Sequence, residues 1–154
     1  MRLFRLCRKA FARSPLDGRG GLVVSGRWHT ARRSVTYASE SLALAGLEVL
    51  VHCDADLLPA DLVAIEIFVP ASVKAAELSL TDLPRTWRKY PAPASLQRLG
   101  NAWLDRANGC ILRVPSAIIP TESNFLIAPR QPDITKLRVV RKFGFRFDSR
   151  LVSR

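Results

Sequence analysis

Residues 62–69 constrain the fold of this chain more than any other segment. Val63, Ile65, Ile67 and Val69 alternate with Ala64, Glu66 and Phe68, and Pro70 ends the run. Branched apolar side chains at every second position predict a strand with at least one buried face, because successive side chains point to opposite sides of a sheet. That strand needs partners, and the chain offers several. Leu3 to Cys7 and Ser34 to Ala38 read as strands, Cys110 to Val114 as a strand cut by Pro115, and Lys136 to Val140 and Phe143 to Phe147 as two more. Ser39 is placed to cap a helix running to about His52. Ser95 is placed to cap a second helix, with Leu96, Leu99, Trp103 and Ala107 on one face and Asn108-Gly109 as its stop. Ser14 to Gly21 is a loop by its Gly, Pro and Asp content, and Thr81 to Pro84 is a turn leading to Trp87. The expectation is an α+β fold, a mixed sheet with flanking helices. At 154 residues and 48% hydrophobic content the chain suits one core, a single domain spanning 1–154.

Charge is distributed unevenly. Residues 1–35 hold nine Lys/Arg against Asp17, a net of +8; residues 36–82 hold Lys74 against eight acids, a net of −7; residues 83–154 hold fourteen Lys/Arg against four acids, a net of +10. Two basic thirds flanking an acidic middle suit nucleic acid, a phosphorylated small molecule or an acidic protein partner. No run approaches the roughly 18 apolar residues of a membrane helix. The N-terminus lacks the apolar centre of a secretory signal; it is Arg-rich, like a transit peptide, but Leu3, Phe4 and Leu6 read more simply as the first strand. Cys7, Cys53 and Cys110 are widely spaced and odd in number, which fits a reducing cytoplasm better than a disulfide framework.

Chemistry is expected first at Glu48. It is the only charge between Leu42 and Val51, and in a helix it shares a face with Leu44 and Val51. A carboxylate on an apolar stripe needs a partner, a ligand or a shifted pKa. A salt bridge to one of the many arginines is the structural alternative. Arg27, between Gly26 and Trp28 after a glycine-rich loop, suits bidentate phosphate binding, or is one more solvated arginine. Tyr37 closes a strand just before the Glu48 helix, where its ring stacks on a planar ligand or fills the core. Ser116 sits where a strand ends, ready to bond a ligand, to attack one, or to bond nearby backbone. Asn124 is a weaker polar candidate in an apparent loop. Other chemistries lack their residues. Gly18-Arg19-Gly20-Gly21 is neither a Walker A loop nor a G-x-G-x-x-G turn. Two histidines and scattered cysteines give a metal site little to build from. Neither histidine stands in a recognisable Ser-His-Asp context, and neither an RNA-recognition pattern nor a helix-turn-helix stands out.

Taken together the chain resembles the RES-domain toxins of bacterial toxin–antitoxin pairs, a family named for an Arg, a Glu and a Ser. The resemblance runs through Phe4-Arg5-Leu6, Gly26-Arg27-Trp28, Val35-Thr36-Tyr37-Ala38 and Leu44-Ala45-Gly46-Leu47-Glu48. It resumes at Leu83-Pro84-Arg85-Thr86-Trp87, Leu99-Gly100-Asn101-Ala102-Trp103-Leu104, Val114-Pro115-Ser116-Ala117-Ile118-Ile119-Pro120, Glu122-Ser123-Asn124-Phe125-Leu126 and Phe147-Asp148-Ser149-Arg150-Leu151. It implies a compact α+β domain similar to ADP-ribosyltransferases, with NAD⁺ as substrate and no metal. The family's arginine, tyrosine, glutamate and serine map to Arg27, Tyr37, Glu48 and Ser116. The implied roles are a phosphate contact for Arg27, nicotinamide stacking for Tyr37, charge stabilisation at the ribose for Glu48, and a hydrogen bond to the nicotinamide half for Ser116. It also implies a cytoplasmic protein paired with a cognate Xre-like helix-turn-helix antitoxin, a homodimer within that complex, and no direct specific nucleic-acid contact. His29 stands where relatives usually carry Asn, and Ala128-Pro129-Arg130-Gln131-Pro132 where many have Asn-Pro-x-His-Pro. A mono-ADP-ribosyltransferase modifying a protein keeps the same fold; a non-catalytic nucleic-acid module is the reading from another class.

Overall fold

The computed structural model describes residues 1–53, 57–106 and 108–151. Seven strands form one mixed sheet: β1 (Arg2–Arg8), β2 (Thr36–Ser39), β3 (Leu62–Phe68), β4 (Ala75–Glu77), β5 (Ile111–Pro115), β6 (Ser123–Ile127) and β7 (Arg138–Gly144), in the order β4-β5-β6-β2-β1-β3-β7. Neighbours are antiparallel except β4 and β5, which run parallel. Among the described residues three α-helices flank it: α1 (Arg19–Val23), α2 (Leu42–Leu50) and α3 (Ala94–Arg106). No helix among the described residues is long and apolar enough to cross a membrane.

The sheet is two halves joined at one point. β1 pairs with β3 along seven residues, Arg2 opposite Phe68 through Arg8 opposite Leu62, but meets β2 only where Phe4 faces Ser39. β2 pairs with β6 along its full length, Thr36 opposite Ile127 and Ser39 opposite Asn124. The helix α2 begins two residues after β2 and packs against β1 and β2, beside this narrow junction. The period of two sorts the core into two layers. Ile111, Phe125 and Ile127 lie with Leu3, Ile65 and Ile67 on one face, while Leu112, Val114 and Leu126 lie with Trp28, Trp87, Leu96 and Trp103 on the other. Ile65 and Ile67 are wholly buried, and each such side chain contributes about 1.5–3 kcal/mol.

Most expected elements are present, with informative shifts. Ser41, not Ser39, caps α2: its Oγ accepts from the Leu44 amide at 3.0 Å, while Ser39 ends a strand. Val51 closes the helix and stands 56% exposed, so Glu48 shares its face with the buried Leu44 but not with a buried Val51. Ser95 lies inside α3, which starts at Ala94, and Ala107 falls outside the described residues. The predicted loop at 14–21 runs into α1. β4 and β6 were not anticipated, and the two C-terminal strands are one, Arg138–Gly144, with Phe145 and Phe147 beyond it.

At Gly100 the backbone of α3 lies close against the Trp28 carbonyl. A Cβ there would sit 1.9 Å from the Trp28 carbonyl oxygen, whereas one at Gly20 in α1 would meet nothing within 4 Å. Gly100→Ala should therefore destabilise the protein by about 1–3 kcal/mol. Gly20→Ala should be neutral or stabilising, since alanine favours a helix over glycine by roughly 1 kcal/mol. Thermal denaturation of the two variants side by side checks this; equal melting temperatures would remove the contact from the account.

Candidate active site

Glu48 projects from the last turn of α2 toward the end of the β2–β6 pair. Its Oε1 accepts from Ser116 Oγ at 3.0 Å and from Asn124 Nδ2 in a short contact. Ser116 is 0% exposed, and its Oγ accepts from the amides of Ile118 and Ile119 at 3.1 and 3.2 Å. Those two N–H groups satisfy the oxygen and turn its single proton toward Glu48. Asn124 Oδ1 accepts from Ser39 Oγ at 2.7 Å, which orients the amide so that its NH₂ faces the carboxylate. Ser41 adds a brace by donating to Glu122 Oε2 at 3.0 Å. Both donors hold Oε1, and Glu48 Oε2 makes no hydrogen bond to the described residues. No ion pair involves Glu48 among them either, so the salt-bridge alternative is not the one adopted. One carboxylate oxygen is anchored and the other is free to face a ligand.

Arg27 is held by a loop rather than by a regular element. Its Nη1 donates to the carbonyls of Trp87 at 2.8 Å and Lys89 at 3.2 Å. Burial pushes the guanidinium pKa down, and the charge of Glu48 pushes back. Arg27 and Glu48 are thus near enough to feel each other without forming an ion pair. Three residues of α3 grip the loop. Gln97 Nε2 donates to the Gly26 carbonyl at 3.0 Å, Asn101 accepts from the Thr30 amide at 3.2 Å and donates to its hydroxyl at 3.0 Å, and Gly100 admits Trp28 between them. Spacings of three and four place all three on one helix face.

Tyr37 braces the loop from the sheet side. The Trp28 amide donates to its hydroxyl at 3.3 Å, and the hydroxyl lies 2.8 Å from His29 Nδ1. Because the Gly26 amide also donates to Nδ1, at 3.2 Å, that nitrogen is unprotonated and the tyrosine hydroxyl donates to it. Desolvation raises the Tyr37 pKa, so the phenol stays neutral. Its hydroxyl is therefore committed inside the protein, and only the ring is left for a ligand.

The structure brings Glu48, Ser116 and Asn124 into one hydrogen-bonded group, with Arg27 and Tyr37 in the adjoining loop and strand. Two expectations change. Ser116 has no exposed surface with which to bond or attack a ligand; its hydroxyl proton is given to a hydrogen bond with Glu48. Asn124 is a strand residue with both ends of its amide engaged, not a loop asparagine. Sequence reasoning missed Ser39, Gln97 and Asn101, whose roles depend on pairings across 85, 71 and 71 residues of chain. Two surface hollows, one beside Arg32 and Arg130 and one beside Asp61 and Phe145, lie away from this group.

Comparison with known proteins gives the chain's family and its fold relatives. The profile described as RES domain matches residues 2–148. The chain belongs to the RES domain family. It is 36% identical over 153 residues to Toxin Res of Photorhabdus laumondii, covering 99% of this chain and 97% of the relative. It is 35% identical over 148 residues to the Prs ADP-ribosylating toxin of Sphingobium, covering 94% and 91%. A chain in the crystal structure of the M. tuberculosis MbcT–MbcA toxin–antitoxin complex superposes with a TM-score of 0.75 at 16% identity, covering 94% of this chain and 83% of that one, so the fold is shared.

In this RES domain the histidine beside Arg27 makes the loop sensitive to acid. His29 is 2% exposed, and burial lowers its pKa from 6.5 against the raising effect of the Val24 and Gly21 carbonyls. The folded state thus binds its proton less readily than the unfolded chain. The sign follows: stability is complete above about pH 6.5 and is lost as pH falls from there through the lower folded pKa. Protonating Nδ1 would also set a donor against the Gly26 amide. Urea denaturation between pH 7.5 and 5 should show stability falling with pH, and His29→Asn should flatten the slope. An unchanged slope in the variant would assign the acid sensitivity to other groups.

Proposed function

We propose that this RES domain is the toxin of a toxin–antitoxin pair and acts by cleaving the nicotinamide–ribose bond of NAD⁺. The observation that carries the reading is the half-anchored Glu48 carboxylate, fixed at Oε1 by Ser116 and Asn124 with Oε2 unengaged. Departure of nicotinamide takes both electrons of the C–N bond, neutralises the pyridinium and leaves positive charge on the ribose, as in glycoside chemistry. A fixed carboxylate beside the ribose stabilises that charge, or accepts from the 2′-hydroxyl, with no reorganisation at the moment of reaction. Arg27, with Nη1 tied to two carbonyls, offers its remaining N–H groups to the pyrophosphate. The Tyr37 ring stacks on nicotinamide and Asn124 contributes by orienting Glu48.

The acceptor of the ADP-ribosyl group is water, phosphate or a protein side chain. The last is favoured by one observation, the Sphingobium relative's name as an ADP-ribosylating toxin. A helix-turn-helix antitoxin of Xre type, covering the site, and a toxin homodimer within the complex complete the proposal for a cytoplasmic protein. Support for a partner comes from the shared fold with a chain of the MbcT–MbcA complex.

Glu48→Gln should keep the fold and lower NAD⁺ turnover by about 10²–10³, the usual effect of losing one positioned electrostatic group. Arg27→Ala should weaken NAD⁺ binding measured by calorimetry. Chromatography of the products separates free ADP-ribose from a phosphorylated product, and mass spectrometry of cell proteins detects transfer to protein. Near-full turnover by folded Glu48→Gln would falsify the mechanism. Activity that vanished on nuclease treatment at physiological salt would favour a nucleic-acid module, whose non-specific binding rests on counterion release.

A further inference from the structure

The hollow beside Arg32 lies at the opposite end of the β2–β6 pair from Glu48. It measures about 390 Å³ and is lined by Thr30, Arg32, Arg33, Leu104, Arg130 and Gln131 among others. Its arginines come from the segments just before Thr36 and just after Ile127, the far end of the ladder from Ser39 and Asn124. At roughly 3.3 Å per residue, the two regions stand about 10 Å apart along the strands.

Three guanidinium groups meet one carboxylate there. Asp105 pairs with Arg33, whereas Arg32 and Arg130 form no ion pair with the described residues. Two uncompensated cations in one concavity repel each other and focus the field on whatever enters. Arg32 also has φ 70, the only non-glycine residue among those described with a positive φ. That conformation strains an arginine backbone, and its amide is fixed there by donating to the Leu22 carbonyl at 3.1 Å. Gln131 is 8% exposed, and its side-chain amide makes no hydrogen bond to the described residues although it lines the hollow. Arg130 and Gln131 belong to the segment in which this chain departs from the Asn-Pro-x-His-Pro pattern.

We infer that this hollow is a second ligand site, for a phosphomonoester carrying a body of sugar or nucleoside size. Two planar guanidinium forks match the oxygens of a dianionic phosphate. The Gln131 amide and the Thr30 hydroxyl add neutral polar groups, and Leu104, Ala31 and Ala128 form an apolar wall for the body. The volume exceeds what phosphate alone fills and lies in the range of small-molecule pockets. The inference does not rest on the reaction assigned to Glu48.

The probes are inorganic phosphate and ribose 5-phosphate, titrated at constant ionic strength while backbone amide resonances are followed. The site predicts saturable shifts concentrated in residues 30–34 and 128–131, with ribose 5-phosphate binding the tighter. Arg130→Ala and Arg32→Gly should each weaken binding at least 10-fold. Arg32→Gly also relieves the positive φ, so its melting temperature should match or exceed that of the parent. Shifts that never saturate and spread over the whole basic surface would overturn the inference. So would affinity equal to the parent's in either variant, or shifts confined to Glu48, Ser116 and Asn124.

Discussion

One backbone pairing, Phe4 opposite Ser39, holds the two halves of the sheet together. On one side of it β1, β3 and β7 form a long three-stranded unit; on the other β2, β6, β5 and β4 form the second. A fully paired β1–β2 ladder would carry the sheet straight through this point. Ser39, the last residue of β2, is paired on both edges, to Phe4 and to Asn124, and its hydroxyl also bonds the Asn124 side chain. The helix that follows delivers Glu48 to the same place, with Ser41 capping it so that it starts where the strand stops. The position of the carboxylate is thus a consequence of where the sheet nearly divides.

The carboxylate is fixed by a relay of neutral groups rather than by opposite charge. A buried arginine opposite Glu48 would satisfy it on both oxygens and cost several kcal/mol of desolvation for each ion. Hydroxyl and amide donors on one oxygen orient it while leaving its charge largely uncancelled. Arg27 is restrained in the same manner, by carbonyl dipoles of Trp87 and Lys89. Two opposite charges are kept apart but within each other's field. The NAD⁺ proposed as substrate, cationic at one ring and anionic at its pyrophosphate, would suit that pair of charges.

How much of this was legible in the sequence depended on whether a signal was local. The alternation at 62–69 and the apolar spacing of Leu96 and Trp103 are periodic, so β3 and α3 could be read directly. Glu48 and Arg27 stood out because a charge in an apolar run, or beside a glycine-rich loop, is visible within a few residues. β4 is three residues long at a parallel edge, too short for any period, and β6 begins with Ser123 and Asn124, which read as loop. Ser39 competed with Ser41 for the helix cap, and two serines of equal capping tendency differ only in where the strand ends. The family resemblance supplied the order of the motifs, but the use of Ser116 as a brace for Glu48 required the fold.

The elements that assemble around Glu48 lie far apart in the chain. Arg27, Tyr37 and Glu48 come early, but the loop holding Arg27 is gripped by Gln97, Gly100 and Asn101, and Glu48 is oriented by Ser116 and Asn124. A polypeptide emerging from the ribosome therefore presents every charged group of the site long before it can position any of them. Until residue 116 has been translated the carboxylate has neither of its orienting partners, and until residue 124 it lacks one of them. Under the proposed function, nascent and truncated chains that carry Arg27, Tyr37 and Glu48 but end before Ser116 would be inert.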